Sequence, residues 1–190
     1  MSAQADSLPR SGAGMTVDEF LAWAEGRPGR FELSNGEVIA MSPERVRHAL
    51  VKFSVQTALS GAVGRAGLPC RMIPDGVTVR IDATTAYEPD ALVYCGPHVD
   101  PDAVEVSDPV VVVEVSSPST RHVDNGLKLA GYFRVASVMH YLLVDPVRRF
   151  VIHHRRGDGE LIETRIVAEG ALDLTPPGFS LPVAALFADL

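Results

Sequence analysis

The sequence predicts an α/β protein, more narrowly an α+β mixed sheet flanked by helices. Two observations carry this. The first is an unbroken apolar run, Val110 to Val113, which suits a strand buried on both faces. The second is alternation: stretches of strand character are separated by stretches of helical spacing at residues 45–64 and about 120–135. That order yields a mixed sheet with helices packed on it. A chain of 190 residues suits one domain with a real core.

Taken in order, residues 1–14 (MSAQADSLPRSGAG) are small and polar and lack the apolar centre of a signal peptide. They read as a disordered tail ahead of one domain over residues 15–190. Thr16 and Glu19 form the ends of a capping box, opening a helix through Phe20, Leu21 and Trp23 that stops near Gly26. Asn35-Gly36 between alternating residues predicts a two-residue hairpin. In it Phe31 and Leu33 share a face with Val38 and Ala40, and Glu32 and Glu37 are expected on different faces. Residues 45–64 read as a helix with Leu50, Val51, Val55, Leu59 and Val63 as its apolar stripe and His48 near its start.

Residues 71–81 read as one strand, 82–86 as a turn, and 88–94 as the next strand. An acidic loop leads to the central apolar run. After the second helical stretch, Val138 to Val144 is another apolar strand turned by Asp145-Pro146. Phe150–His154 and Leu161–Val167 form a last hairpin, and a short helix begins at Pro182.

Composition narrows the function. No apolar run reaches the roughly 18 residues of a membrane span. Cys70 and Cys95 lie in unrelated segments without metal-type spacing, which predicts reduced thiols and a cytoplasmic protein. The net charge of -7 excludes a broadly basic surface, so any nucleic-acid contact rests on a local patch; Arg148, Arg149, Arg155 and Arg156 read either as such a patch or as a solvated hairpin end. The same charge fits carboxylates gathered around a cation, and equally a solvated acidic surface. Phosphate-binding glycine loops, H-E-x-x-H and G-x-S-x-G are absent. His153-His154 cannot ligate as a pair, because strand neighbours point to opposite faces.

The chemistry gathers elsewhere. Glu114 ends the buried run, and Glu88-Pro89-Asp90 leads into the apolar run Ala91 to Tyr94. If these strands are neighbours, Asp90 and Glu114 meet, and two such acids either bind a cation or share a proton. Asp124, Lys128 and Tyr132 follow at four-residue spacing, the lysine placed to act on a water or a phosphate. Oxygen ligands of this kind suit Mg²⁺, with Mn²⁺ as a substitute. Glu32 reads either as a solvent-facing strand residue or as a third acid.

These residues resemble a family. The acid-Pro-Asp strand, VVVVEVSSPST, and Asp124 with Lys128 and Tyr132 look like the Uma-two restriction endonuclease family of the PD-(D/E)XK nuclease superfamily. The likeness extends upstream through FELSNGEVIAMSP and His48, and downstream through YLLVDP and PGFSLPVAALF, covering about residues 15–190. It implies a restriction-endonuclease-like core, with a divalent cation held by Asp90, Glu114 and the Val115 carbonyl. It also implies Glu32 as an accessory acid, and Asp124, Tyr132 and His48 in support. One departure stands out: two residues after the second acid, where the superfamily has lysine, this chain has Ser116. The lysine role then passes to Lys128.

Three function classes follow. The first is a metal-dependent endonuclease acting on DNA phosphodiester bonds. The second is a nuclease fold that binds nucleic acid or protein without turnover. The third is a structural or oligomerising protein without a site. The intact Asp, Glu and Lys positions favour the first. Many nucleases of this size cut as homodimers, but nothing in the sequence marks an interface.

Overall fold

The computed structural model describes residues 14–117 and 124–190. The expected disordered tail therefore lies outside the described residues, apart from Gly14. Among the described residues no helix is long and apolar enough to cross a membrane.

The chain opens with α1 (Val17–Ala24), whose capping box at Thr16 and Glu19 forms as predicted. The hairpin β1 (Phe31–Ser34) and β2 (Glu37–Ala40) turns at Asn35 and Gly36, both at positive φ as a two-residue turn requires. Helix α2 (Val46–Ala66) follows, and then β3 (Cys70–Pro74), β4 (Val79–Asp82), β5 (Thr85–Tyr87), β6 (Ala91–Cys95) and β7 (Pro109–Val115). A π turn (Asp124–Lys128) runs into α3 (Leu129–Arg134). The remainder is β8 (His140–Asp145), β9 (Phe150–Arg156), β10 (Ile162–Val167), the hairpin β11 (Ala171–Leu174) and β12 (Phe179–Pro182), and a 3-10 turn (Val183–Phe187).

A six-stranded mixed sheet, β10-β9-β8-β7-β6-β3, is the centre, with β7 and β8 its parallel pair. Strand β7 lies inside it, which is why its valines need no polar face. The odd-numbered side, Val111, Val113 and Val115, packs with α2 and the β11–β12 hairpin. The other side packs Val112 with Tyr132 and Phe133 of α3. A second sheet, β2-β1-β5-β4, carries Glu32 and closes on α1 through Leu33, Val17 and Phe20.

Several expectations are corrected. Residues 71–81 are two strands in different sheets, because the chain breaks at Asp75-Gly76, where Gly76 has φ +98°. The expected turn at 82–86 is shorter, since Thr85–Tyr87 pairs with β4 and β1. Glu32 and Glu37 do not fall on different faces: Ser34 pairs with Glu37 and Glu32 with Ile39, so both point to one side. What separates them is depth, Glu32 being buried and Glu37 exposed at the tip. Leu50 stands outside the buried stripe of α2.

The cysteines are not reduced. Strand β3 pairs antiparallel with β6, setting Cys70 directly opposite Cys95, and the two form a disulfide. Their 25-residue separation hid a pairing that only the sheet creates. Cysteine usage therefore gives no support to a cytoplasmic location.

Candidate functional site

Asp90 precedes β6, following Pro89, which has no amide to donate. The Asp90 amide donates to the Val113 carbonyl at 3.0 Å, and Ala91 pairs with Val113, so Asp90 comes opposite Glu114 on the neighbouring strand. The Asp90 carboxylate turns back onto β7: its Oδ2 accepts the Val115 amide at 2.7 Å. Both acids are buried.

Glu114 faces α3. Its Oε1 accepts from Lys128 Nζ at 2.8 Å and from the Tyr132 hydroxyl at 2.7 Å. Lys128 is itself buried, and its amine also donates to Glu32 Oε1 at 2.9 Å. That same Glu32 oxygen accepts the Glu88 amide at 2.9 Å. One lysine thus joins β1 of the smaller sheet to β7 of the larger. The Tyr87 ring flanks the amine, its centroid 5.6 Å from Nζ, and stacks edge-on against Tyr132. Burial, and then the charge of Glu114, holds the Tyr132 phenol well above its ordinary pKa, so it stays a donor.

Gly131 makes this packing possible. A Cβ built there would lie 2.6 Å from Tyr87 Cε2. Only a glycine lets α3 come this close to β5 and bring Lys128 to its two acids.

The other flank is built by α2. Its inward face repeats every four residues as His48, Lys52 and Gln56, and Glu44 stands at the same spacing just ahead of the helix. His48 Nε2 lies 2.9 Å from the Val115 carbonyl and 3.5 Å from Asp90 Oδ2. Burial opposes a charge on His48, but Asp90, Glu44 and the Val115 carbonyl outweigh it and raise its pKa. Lys52 reaches Glu44, and also Asp75 at 2.9 Å. Burial would raise the Asp75 pKa, yet Lys52 and Arg30 hold it below the usual carboxylate value. Gln56 joins Asp75 to the Asp90 carbonyl, and Arg30 gathers Glu44, Asp75 and Glu88.

The structure therefore brings together Glu32, Asp90, Glu114, Lys128, Tyr132, His48 and the Val115 carbonyl. The Asp124 side chain lies outside the described residues. Sequence reasoning missed Glu44, Lys52, Gln56, Arg30 and Asp75. The four-residue repeat on α2 was the available signal, and attention to its apolar stripe concealed it.

The donor set fits a divalent cation. Among the described residues the carboxylates of Glu32, Glu44, Asp75, Glu88 and Glu114 gather around Arg30, Lys52 and Lys128, with Asp90 between the two groups. Ligand atoms of Glu44, His48 and Asp90 lie within 4.8 Å of one another. The buried Nδ1 of His48 makes no hydrogen bond, its contact with Glu44 being 3.5 Å. Such a gathering of carboxylate oxygens suits an oxygen-preferring ion.

Known proteins resemble this chain in sequence and in fold. The protein is 26% identical over 178 residues to uncharacterized protein slr1290 of Synechocystis sp., covering 93% of each chain. It is 23% identical over 160 residues to uncharacterized protein sll1609 of the same organism, covering 83% of this chain and 90% of that one. Its fold matches the crystal structure of "a putative nuclease belonging to DUF820" from Anabaena variabilis. The TM-score is 0.67 at 18% identity, covering 92% of this chain and 98% of that one. The Uma2 family pattern, described as "Putative restriction endonuclease", matches residues 17–184, so the chain belongs to the Uma2 family.

Proposed function

We propose that this protein is a metal-dependent endonuclease that hydrolyses DNA phosphodiester bonds through one domain spanning residues 15–190. The observation that carries the reading is the buried Glu32–Lys128–Glu114 bridge standing beside Asp90. Buried charge is costly to desolvate and its perturbed groups cluster at functional sites, and phosphodiester hydrolysis uses carboxylates and a lysine together.

Asp90, Glu114 and the Val115 carbonyl would hold Mg²⁺, or Mn²⁺ in its place, with His48 and Glu44 on the flank. When bound, the cation supplies Lewis-acid charge and a water of lowered pKa. The protein's own groups do the positioning. Lys128 donates to the attacking water or to a phosphate oxygen. Glu32 holds the amine in place, and Tyr132 fixes the Glu114 carboxylate. A cytoplasmic location remains part of the reading because the substrate is DNA.

A second reading is a nuclease fold that binds nucleic acid or protein without turnover. Ser116, standing where the superfamily has lysine, favours it. The deciding experiment incubates the protein with plasmid and single-stranded DNA in Mg²⁺, Mn²⁺ or EDTA, beside Asp90→Ala. Cleavage that needs the metal and vanishes in the variant is expected. Binding without cleavage selects the second reading, and full activity in Asp90→Ala rejects the proposed site.

A further inference from the structure

The outward face of α2 has a pattern that the monomer leaves unused. Val46, Leu50, Phe53, Thr57, Ser60 and Gly64 are all exposed and follow one another at steps of four, three, four, three and four. That is the seam of a helix pair, an apolar or small residue at every a and d position. The three large side chains are 76%, 40% and 61% exposed. Between Arg47 and Arg65, the only permanently charged side chain of α2 is Lys52, which is folded onto Glu44 and Asp75. A helix of 21 residues thus shows solvent an uncharged strip about 30 Å long.

Gly64 supplies an independent sign. A Cβ there would meet nothing within 4 Å, so no contact among the described residues calls for glycine. Glycine in a helix costs about 1 kcal/mol against alanine. Close approach of another backbone would explain it.

We propose that this strip pairs with the same strip of a second copy, antiparallel, about a two-fold axis. The strip is self-complementary in that orientation alone. Its bulky half, Val46, Leu50 and Phe53, then meets the small half, Gly64, Ser60 and Thr57, of the other copy. Parallel pairing would set Phe53 against Phe53 and leave Gly64 facing Gly64. Helix contact alone sits at the low end of interface size, so the dimer is a weak one, in the micromolar range.

The pairing bears on the site. At about 100° per residue His48 and Lys52 lie well over a quarter turn from the strip, on the face packed into the monomer, so pairing leaves both sites clear of the interface. On the nuclease reading above, each site stays open to its own DNA. The pairing itself does not depend on that reading.

The test is sedimentation from about 1 µM to 1 mM, the range in which so small an interface assembles. Wild-type protein is expected to pass from monomer to dimer. Phe53→Glu should weaken association about 100-fold or more through a buried unpaired charge, with an unchanged melting curve because the residue is exposed. Gly64→Leu should do the same by bulk. Phe53→Glu combined with Thr57→Lys should restore the dimer, since antiparallel pairing sets each charge opposite its complement. A wild type that stays monomeric at 1 mM, or a Phe53→Glu dimer as tight as wild type, overturns the proposal. A double variant that stays monomeric overturns the antiparallel register. DNA cleavage is not a readout here, so failure of the dimer and failure of the nuclease reading are separable.

Discussion

The Lys128 amine lies 2.8 Å from Glu114 Oε1 and 2.9 Å from Glu32 Oε1, and so holds acids from two different sheets. Lys128→Met should leave both carboxylates buried without their shared partner. Stability in metal-free buffer should fall by about 3–5 kcal/mol, the usual cost of breaking a buried pair. Denaturant titration measures this, and a loss below about 1 kcal/mol would show that the bridge is not formed. Cleavage by the folded fraction should drop at least about 100-fold.

Asp90 also serves the fold, because its Oδ2 accepts the Val115 amide. Asp90→Ala should therefore cost about 1–3 kcal/mol by stranding a buried donor. Asp90→Asn keeps an acceptor and is the sharper probe of metal binding. At about 100 times the dissociation constant, Mg²⁺ or Mn²⁺ should stabilise the wild type by about 2.7 kcal/mol. Asp90→Asn and Glu114→Gln should abolish that shift. An undiminished thermal shift in both variants would place the cation elsewhere.

Gly131 leaves no room for a side chain. Gly131→Ala would set its methyl 2.6 Å from Tyr87 Cε2, in a buried contact. We expect a loss of about 1–3 kcal/mol and reduced cleavage, because α3 must retreat and carry Lys128 with it. Adding Tyr87→Leu should recover part of both. Equal melting curves for Gly131→Ala and wild type would refute the close approach.

The Cys70–Cys95 link closes a loop of about 25 residues between an edge strand and the strand that follows Asp90. Reduction by a dithiol, or Cys70→Ser with Cys95→Ser, should cost about 3 kcal/mol. Mass spectrometry of alkylated protein and melting with and without reductant check this together. Free thiols in unreduced protein would contradict it.

His140 and His153 form a buried pair, Nδ1 of the first 2.9 Å from Nε2 of the second, while His140 Nε2 donates to the Pro176 carbonyl. Burial holds both at about 4, below the ordinary 6.5, and His140 itself adds to the effect on His153. The folded state thus favours the neutral rings, and below pH 6.5 the unfolded chain binds more protons. Stability from this pair is complete above about 6.5 and is lost as pH falls toward 4. The melting temperature should decline across that window, less steeply in His153→Gln. A flat profile there would count against a neutral pair.

Much of this was legible beforehand. The four valines of β7, the Asn35-Gly36 turn and the Thr16 capping box are local signals, set by burial period and backbone freedom within a few residues. Asp90, Glu114 and Lys128 could be named because each stands where a charge has no local reason to be: at a strand mouth, at the end of an apolar run, and on a helix after it. The repeats of α2 were equally local, yet one apolar stripe hid both the polar face toward Asp90 and the seam facing solvent.

The amino-acid sequence by itself determined the first hairpin, the buried run of β7, the capped helix and the acids, because periodicity and turn chemistry act over short stretches. Tertiary structure alone decided the rest. Cys70 met Cys95 through strand order, and Glu32 met Lys128 through the docking of one sheet on another. Asp75 left β3 for the site because the chain breaks at Gly76. Contacts between residues 25 to 96 positions apart are chosen by how whole faces pack. No local pattern encodes that choice.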